Sequence, residues 1–242
     1  MRRSMQALRA LRYFFGALIV TVTVLVLLFA GLAILRGKTG RRYYSSVSRF
    51  WGRVLVRLAG GEIRIVNPEY LLSREPYVVM ATHASSLDIP FLYSFLPGNI
   101  RFVMKKVLRY IPLLGWYLWA SGHFFLDRKN PRQAVRLFIK VAQALRDEKA
   151  VPIIFPEGTR SPNGKLQALH PGTFELPIRA GAHVLPVVLL GCSDIIPKGR
   201  SLPVARGVVM AVVGRPIPTA GKDRKDLCAE VREAFIAMGA AT

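Results

Sequence analysis

The sequence predicts an α/β fold, a mostly parallel central sheet covered by helices, with an N-terminal membrane-associated helical segment ahead of it. Three features of the 242 residues carry this expectation. Seven short runs rich in Val and Ile, bounded by Gly, Pro or charge, read as strands. Helical patterns separate them, and strands that are apolar throughout and alternate with helices belong to parallel sheets covered on both faces. An uncharged stretch of 23 residues stands near the N-terminus among basic residues only.

That stretch, "YFFGALIVTVTVLVLLFAGLAIL" at 13–35, makes a helix about 34 Å long at about 1.5 Å per residue. A hydrocarbon core is about 30 Å thick. Arginines and lysines flank both of its ends, so the positive-inside rule does not orient it. It reads as a span or as a helix dipping into one leaflet, with a cleaved signal peptide as the alternative. In "YYSSVSRFWGRVLVRLAG", 43–60, Val47, Phe50, Trp51, Val54, Leu55 and Leu58 recur at helical spacing, with Arg49, Arg53 and Arg57 on another face. This is an amphipathic basic helix suited to lipid headgroups, or a packed helix with a solvated arginine face.

Charge supports the lipid reading. The chain carries 35 Lys+Arg against 14 Asp+Glu, a net +21, and the first acidic residue is Glu62. A basic N-terminal end beside so much apolar sequence fits anionic membrane lipids. Nucleic acid as a partner rests on charge alone, because the body has no interleaved aromatic and basic patches. The composition shift at "AGGE" divides the chain into membrane-anchoring helices over 1–60 and an α/β domain over 61–242. Cys192 and Cys228 match no metal or redox spacing and read as reduced thiols.

The expected strands are 62–66, 77–82, 101–105, 123–126, 151–155, 183–191 and 207–214. Two helices are clear. One covers 131–147, with Asn130 as its cap, Pro131 in its first position and a stripe of Ala134, Leu137, Phe138, Val141 and Leu145. The other covers 223–238, with Leu227, Val231, Ala234, Phe235 and Met238 on one side. Active sites of such sheets gather at strand ends and in the loops that follow them.

Four strand ends carry chemistry. "ATHASSLDIP" puts His83 after an apolar strand and Asp88 five positions on. On one continuous helix residues five apart point about 140° away from each other. The pair meets only if His83 precedes a helix and Asp88 lies in its first turn, with Ser85 as cap. The carboxylate then holds one imidazole nitrogen and leaves the other as a base. The spacing also admits a core histidine beside a capping aspartate, a metal ligand, or Ser85 or Ser86 as a nucleophile served by His83. "FPEGTRS", 155–161, follows another strand. Its glycine turn exposes backbone N–H groups, and Arg160 adds a cation suited to phosphate, with Glu157 bracing Arg160 or another base. "GHFFLDR" ends on Asp127 and Arg128, and "RFVMKK" on Lys105 and Lys106. Cations at three strand ends and a histidine at the fourth describe an anion-lined site beside a base.

In this order the patches resemble the 1-acylglycerol-3-phosphate (lysophosphatidic acid) acyltransferase family. Its H-x-x-x-x-D motif is matched by His83 and Asp88, its G-x-x-F-x-x-R block by Gly122, Phe125 and Arg128, and its F-P-E-G-T-R-S block by 155–161. "KKVLRYIPLLGW" and "VLPVVL" resemble two further family stretches, so the likeness runs over roughly 60–215. Thr82 stands where the family often has asparagine, and "ALHPGTF" where a lysine commonly precedes the glycine.

The resemblance implies a glycerolipid acyltransferase-like fold and transfer of a fatty acyl group from a thioester donor, acyl-CoA or acyl-carrier protein. The acceptor is the sn-2 hydroxyl of a lysophospholipid, 1-acylglycerol 3-phosphate, and the product phosphatidic acid; the alternatives are another acceptor, such as a lyso-ornithine lipid, another lysophospholipid or glycerol 3-phosphate, or a membrane lipid-binding protein without catalysis. His83 is then the base and Asp88 its orienting partner. Glu157, Gly158, Thr159 and Arg160 hold the acceptor's phosphate with Arg128, and Lys105 joins them. Backbone N–H groups at the helix start after His83 are the expected oxyanion donors. No metal or other cofactor is implied. The catalytic domain is expected on the cytoplasmic face of a membrane, the inner one in a bacterium.

Overall fold

A computed structural model describes residues 2–34, 37–73, 75–112, 114–127 and 131–242. Seven strands form one sheet: β1 (Gly61–Val66), β2 (Tyr77–Ala81), β3 (Asn99–Lys105), β4 (Phe124–Leu126), β5 (Ala150–Ile154), β6 (His183–Leu190) and β7 (Gly207–Val213). Each coincides with an apolar run named above, to within two residues at either end. The spatial order is β1-β7-β6-β2-β5-β3-β4. All neighbours are parallel except β6 and β7, so β1 and β7 run against the other five strands.

Among the described residues the α-helices are α1 (Arg2–Ile34), α2 (Gly37–Leu58), α3 (Asp88–Phe95), α4 (Leu114–Ala120), α5 (Pro131–Glu148), α6 (Glu175–Ala180), α7 (Cys192–Ile195) and α8 (Arg224–Ala237). The expected helices over 131–147 and 223–238 are α5 and α8. Asp223 caps α8, its side chain accepting from the N–H groups of Lys225 and Asp226. Asn130 lies outside the described residues.

Successive strand residues face opposite sides, which explains why the central strands show no apolar–polar alternation. In β2, Val79 and Ala81 join one core with Val56, Phe91 and Leu92. Val78 and Met80 join the other, with Val141, Leu176, Val231 and Phe235. The first core is closed by α2 and α3, the second by α5, α6 and α8.

The composition boundary near residue 60 is not a packing boundary. Helix α2 packs on α3, with the buried Gly52 against Pro90, Tyr93 and Ser94. Small residues permit the approach: a Cβ on Gly52 would stand 2.3 Å from the carbonyl oxygen of Pro90. The Arg53 guanidinium donates to Ser94 O at 2.9 Å. The apolar stripe expected on α2 therefore divides. Leu55 is core, whereas Phe50 is 61% exposed.

Helix α1 runs antiparallel along α2. Trp51 Nε1 donates to Thr21 Oγ1 at 3.1 Å, and the Tyr43 hydroxyl to Leu27 O at 2.8 Å. Its segment Ala10–Leu27 is long and apolar enough to cross a membrane, by length and composition.

Candidate active site

Strands β6, β2, β5, β3 and β4 point the same way, so their C-terminal ends share one edge of the sheet. That edge gathers the residues singled out in the sequence. A cavity of about 970 Å³ opens there, lined by His83, Lys105, Gly158, Thr159 and Arg160. Arg128 lies outside the described residues.

His83 follows β2, and α3 begins at Asp88 itself. The chain between them reverses, and His83 Nδ1 lies 2.7 Å from Asp88 Oδ2. The same oxygen accepts from Ala84 N and Ser85 N, both at 2.8 Å. Two backbone N–H groups already donate to that oxygen of a side chain that is 1% exposed, so Oδ2 carries no hydrogen of its own toward the ring. Nδ1 must then carry the hydrogen of the bond, which leaves Nε2 of the neutral ring as acceptor. The ring also stacks on Phe155, centroids 3.9 Å apart and planes 14° from parallel. Two contacts thus fix its tautomer and its plane.

Three expectations about this loop are corrected. Ser85 does not cap α3. Its hydroxyl donates to Ile196 O at 2.7 Å and accepts from Leu87 N at 3.0 Å. Buried and so bonded, Ser85 is no nucleophile. The N–H groups of Ala84 and Ser85 are engaged by Asp88, and that of Leu87 by Ser85, so they are not free for an oxyanion. Nor is His83 a core histidine, because it lines the cavity.

Glu157 is placed differently from the expectation as well. It does not brace Arg160. Its buried carboxylate accepts from His83 N at 2.7 Å and from Gln167 N at 3.0 Å. On the other side of the same residue, Ser161 N donates to His83 O at 2.7 Å. The Glu-Gly-Thr-Arg-Ser turn therefore grips the His83 backbone at both of its polar groups. Burial pushes the Glu157 carboxyl above its ordinary range, and the N–H groups of Gln167 and His83 hold it partly down. Gly158 has φ +72°, a left-handed turn that disfavours any side chain, and donates its N–H to Phe155 O at 3.0 Å. Thr159 and Arg160 stand at the cavity beyond it.

A misplaced base weakens catalysis steeply, since about 1 Å of displacement can cost 10²-fold. Glu157→Gln places an amide N–H₂ against one of two backbone donors. It should lower kcat by about ten- to a hundredfold at nearly constant acceptor KM. Steady-state kinetics check this, and a raised KM with intact kcat would put Glu157 on the substrate instead.

Sequence reasoning missed three groups at this edge. Gly199, Arg200 and Ser201, in the loop following α7, line the cavity, and Lys198 Nζ donates to Arg160 O at 2.5 Å. The cations in "PKGR" were a usable signal, because this loop leaves the active edge of β6 through α7. Thr82 Oγ1 accepts from Leu189 N at 2.9 Å, tying the end of β2 to β6. His123 is buried, accepts from Phe102 N through Nδ1 at 3.0 Å and meets the Tyr93 hydroxyl through Nε2 at 3.0 Å. Burial first, then the neighbouring Arg101 charge, lowers its pKa to about 3, so it is a neutral structural link rather than a second base. Lys106, by contrast, pairs with Asp127 at 3.4 Å.

Away from this edge the cavity is apolar, with Val24 and Leu25 of α1, Leu55 of α2 and Leu114 and Leu118 of α4 among its walls. The arrangement joins a base, a set of cations and a space suited to a hydrocarbon chain.

Known proteins resemble this chain in sequence, and one solved structure resembles it in fold. The sequence model of the acyltransferase family matches residues 62–190. The 1-acyl-sn-glycerol-3-phosphate acyltransferase of Saccharomyces cerevisiae is 31% identical over 174 residues, 71% of this chain and 57% of that protein. The human 1-acyl-sn-glycerol-3-phosphate acyltransferase alpha is 30% identical over 170 residues, 70% of this chain and 60% of that protein. The chain thus spans less than two thirds of the length of either relative. The crystal structure of the 1-acyl-sn-glycerophosphate (LPA) acyltransferase PlsC from Thermotoga maritima superposes with a TM-score of 0.81 at 26% identity, covering 98% of this chain and 96% of that one. With the matched domain and the shared architecture together, the chain belongs to the 1-acylglycerol-3-phosphate acyltransferase family.

Proposed function

We propose that the protein transfers a fatty acyl group from a thioester donor, acyl-CoA or acyl-carrier protein, to the sn-2 hydroxyl of 1-acylglycerol 3-phosphate, giving phosphatidic acid. The observation that carries this is the 2.7 Å contact of His83 Nδ1 with the buried Asp88 carboxyl. It leaves Nε2 unprotonated on a ring that lines the cavity.

The acceptor hydroxyl donates to Nε2 and attacks the thioester carbonyl as its proton passes to the imidazole. The new C–O bond forms, the C–S bond breaks, and the proton leaves on the thiol. No covalent acyl-enzyme and no cofactor enters the scheme. Arg160, with Lys105, Arg128 and Thr159, holds the acceptor phosphate, Gly158 shapes the turn because its N–H is taken by Phe155 O, and Glu157 acts through the His83 backbone. The acyl chain occupies the apolar part of the cavity.

Lipid substrates call for a membrane, and residues 1–60 supply the anchor. Arg49, Arg53 and Arg57 of α2 lie along the stretch of α2 that pairs with α1. A spanning α1 would draw these arginines toward the hydrocarbon, at about 2.5–3.5 kcal/mol each on insertion scales. The hairpin therefore rests in one leaflet, with the catalytic body on the cytoplasmic face where the thioester donors are found.

The test is acyl transfer by the purified chain from acyl-CoA and acyl-carrier protein to 1-acylglycerol 3-phosphate, glycerol 3-phosphate and a lyso-ornithine lipid. Thiol release should depend on 1-acylglycerol 3-phosphate. Release driven by another acceptor alone would move the substrate assignment, and none with any acceptor would end it. A charged hydrogen bond is worth about 1.5–3 kcal/mol, so Arg160→Ala should raise the acceptor KM by roughly ten- to a hundredfold. An unchanged KM would take Arg160 off the phosphate.

A further inference from the structure

Between β3 and β4 the chain makes a 3₁₀ turn, Lys106–Tyr110, and then α4. The sequence "KVLRYIPLLGWYLWA", 106–120, holds two cations, four aromatics and no acid. It has two distinct sides. Leu108, Leu114, Tyr117 and Leu118 line the cavity. Val107, Tyr110, Trp116 and Trp119 face outward at 63, 70, 60 and 61% exposure. Trp116 and Trp119 are three apart on α4 and so share a helix face.

We propose that this outward face is a second membrane contact, inserted into the same anionic leaflet as α1. The inference rests on the membrane reading of residues 1–60 given above. Lipid is the occupant that fits. Trp and Tyr favour the interface between headgroups and hydrocarbon, where an apolar ring carries a polar edge. Arg109 in the same turn is exposed and complements anionic headgroups. The patch is continuous with the lipid-facing side of α1: α4 packs on α1, whose Phe14, Leu18 and Ile19 are also exposed. The α1 and α4 walls of the cavity then both stand in the leaflet. An acyl chain passes from lipid into the cavity without crossing water.

Trp51, Trp116 and Trp119 are the three tryptophans of the chain. The full chain carrying Trp51→Phe therefore reports on the patch alone. It is mixed with phosphatidylcholine–phosphatidylglycerol vesicles, with and without brominated acyl chains. Its emission should shift to the blue and be quenched by the brominated lipid. Co-sedimentation with vesicles but no quenching would overturn this inference and leave the anchoring by residues 1–60 standing. Failure to co-sediment at all would overturn both. As a second readout, W116S/W119S should lose roughly tenfold in activity on a vesicle-borne acceptor, the cost of about 1.4 kcal/mol of binding. Its activity on a detergent-dispersed acceptor should be unchanged. An equal loss on both, or on neither, would also overturn the proposal.

Discussion

His83→Ala is expected to lower kcat by about 10²–10⁴-fold, the usual contribution of a positioned general base, at nearly constant acceptor KM. The expectation follows from what the ring touches. Its Nδ1 is committed to Asp88 and its face to Phe155, so Nε2 is the nitrogen left to meet a substrate in the proposed reaction. The phosphate and acyl-chain regions involve other residues, hence the constant KM. Removing the imidazole leaves Asp88 bonded to Ala84 N and Ser85 N, so the loop should keep its shape. An unaltered melting temperature beside lost turnover separates chemistry from unfolding. Activity within a few-fold of the unmodified chain would remove His83 from the mechanism.

At Asp88 two substitutions should behave differently, and the difference tests the geometry rather than the importance of the residue. Asp88→Asn can keep its amide oxygen where Oδ2 stands, because the two backbone donors at 2.8 Å select oxygen over N–H₂. Nδ1 then still donates, the tautomer survives, and only the charge opposite a developing imidazolium is lost. We expect roughly ten- to a hundredfold less kcat, from the weakening of a charged hydrogen bond by about 1.5–3 kcal/mol. Asp88→Ala removes the acceptor altogether. Buried donors left unpaired cost about 1–3 kcal/mol each, so this variant should lose several kcal/mol of stability along with its activity. Thermal melts and kcat on both variants settle the matter. Equal damage from the two would show that the carboxylate does something other than hold a tautomer.

Much of this architecture was legible in the residues, for reasons that differ from place to place. The seven strands could be read because short Val- and Ile-rich runs bounded by turn residues have few other structures open to them. Helices α5 and α8 could be read from stripes at helical spacing. The His83–Asp88 contact was accessible because its partners are five residues apart, close enough that one chain reversal decides whether they meet. The capping role of Ser85 was misjudged. A serine at that spacing fits a helix cap, but its hydroxyl found a carbonyl at Ile196, 111 residues away. Glu157 was misjudged for the same reason. Its turn suggested a nearby arginine, whereas its partners are a peptide N–H 74 residues earlier and another ten residues later. The stripe on α2 correctly marked a helix. It did not say that Gly52 would let α2 approach α3 closely, since hydrophobicity measures transfer from water and not closeness of approach.

By itself, the order of residues determined the elements, the two-faced burial of the central strands, the basic apolar N-terminal end and the meeting of His83 with Asp88. These are properties of local spacing and of side-chain polarity, and they need no partner to be defined. Only the tertiary structure decided the strand order, the grip of the 157–161 turn on His83, the cations of the 198–200 loop and the outward tryptophans of α4. Each of those depends on which distant segment arrives at the same sheet edge, and that is set by packing the whole chain at once.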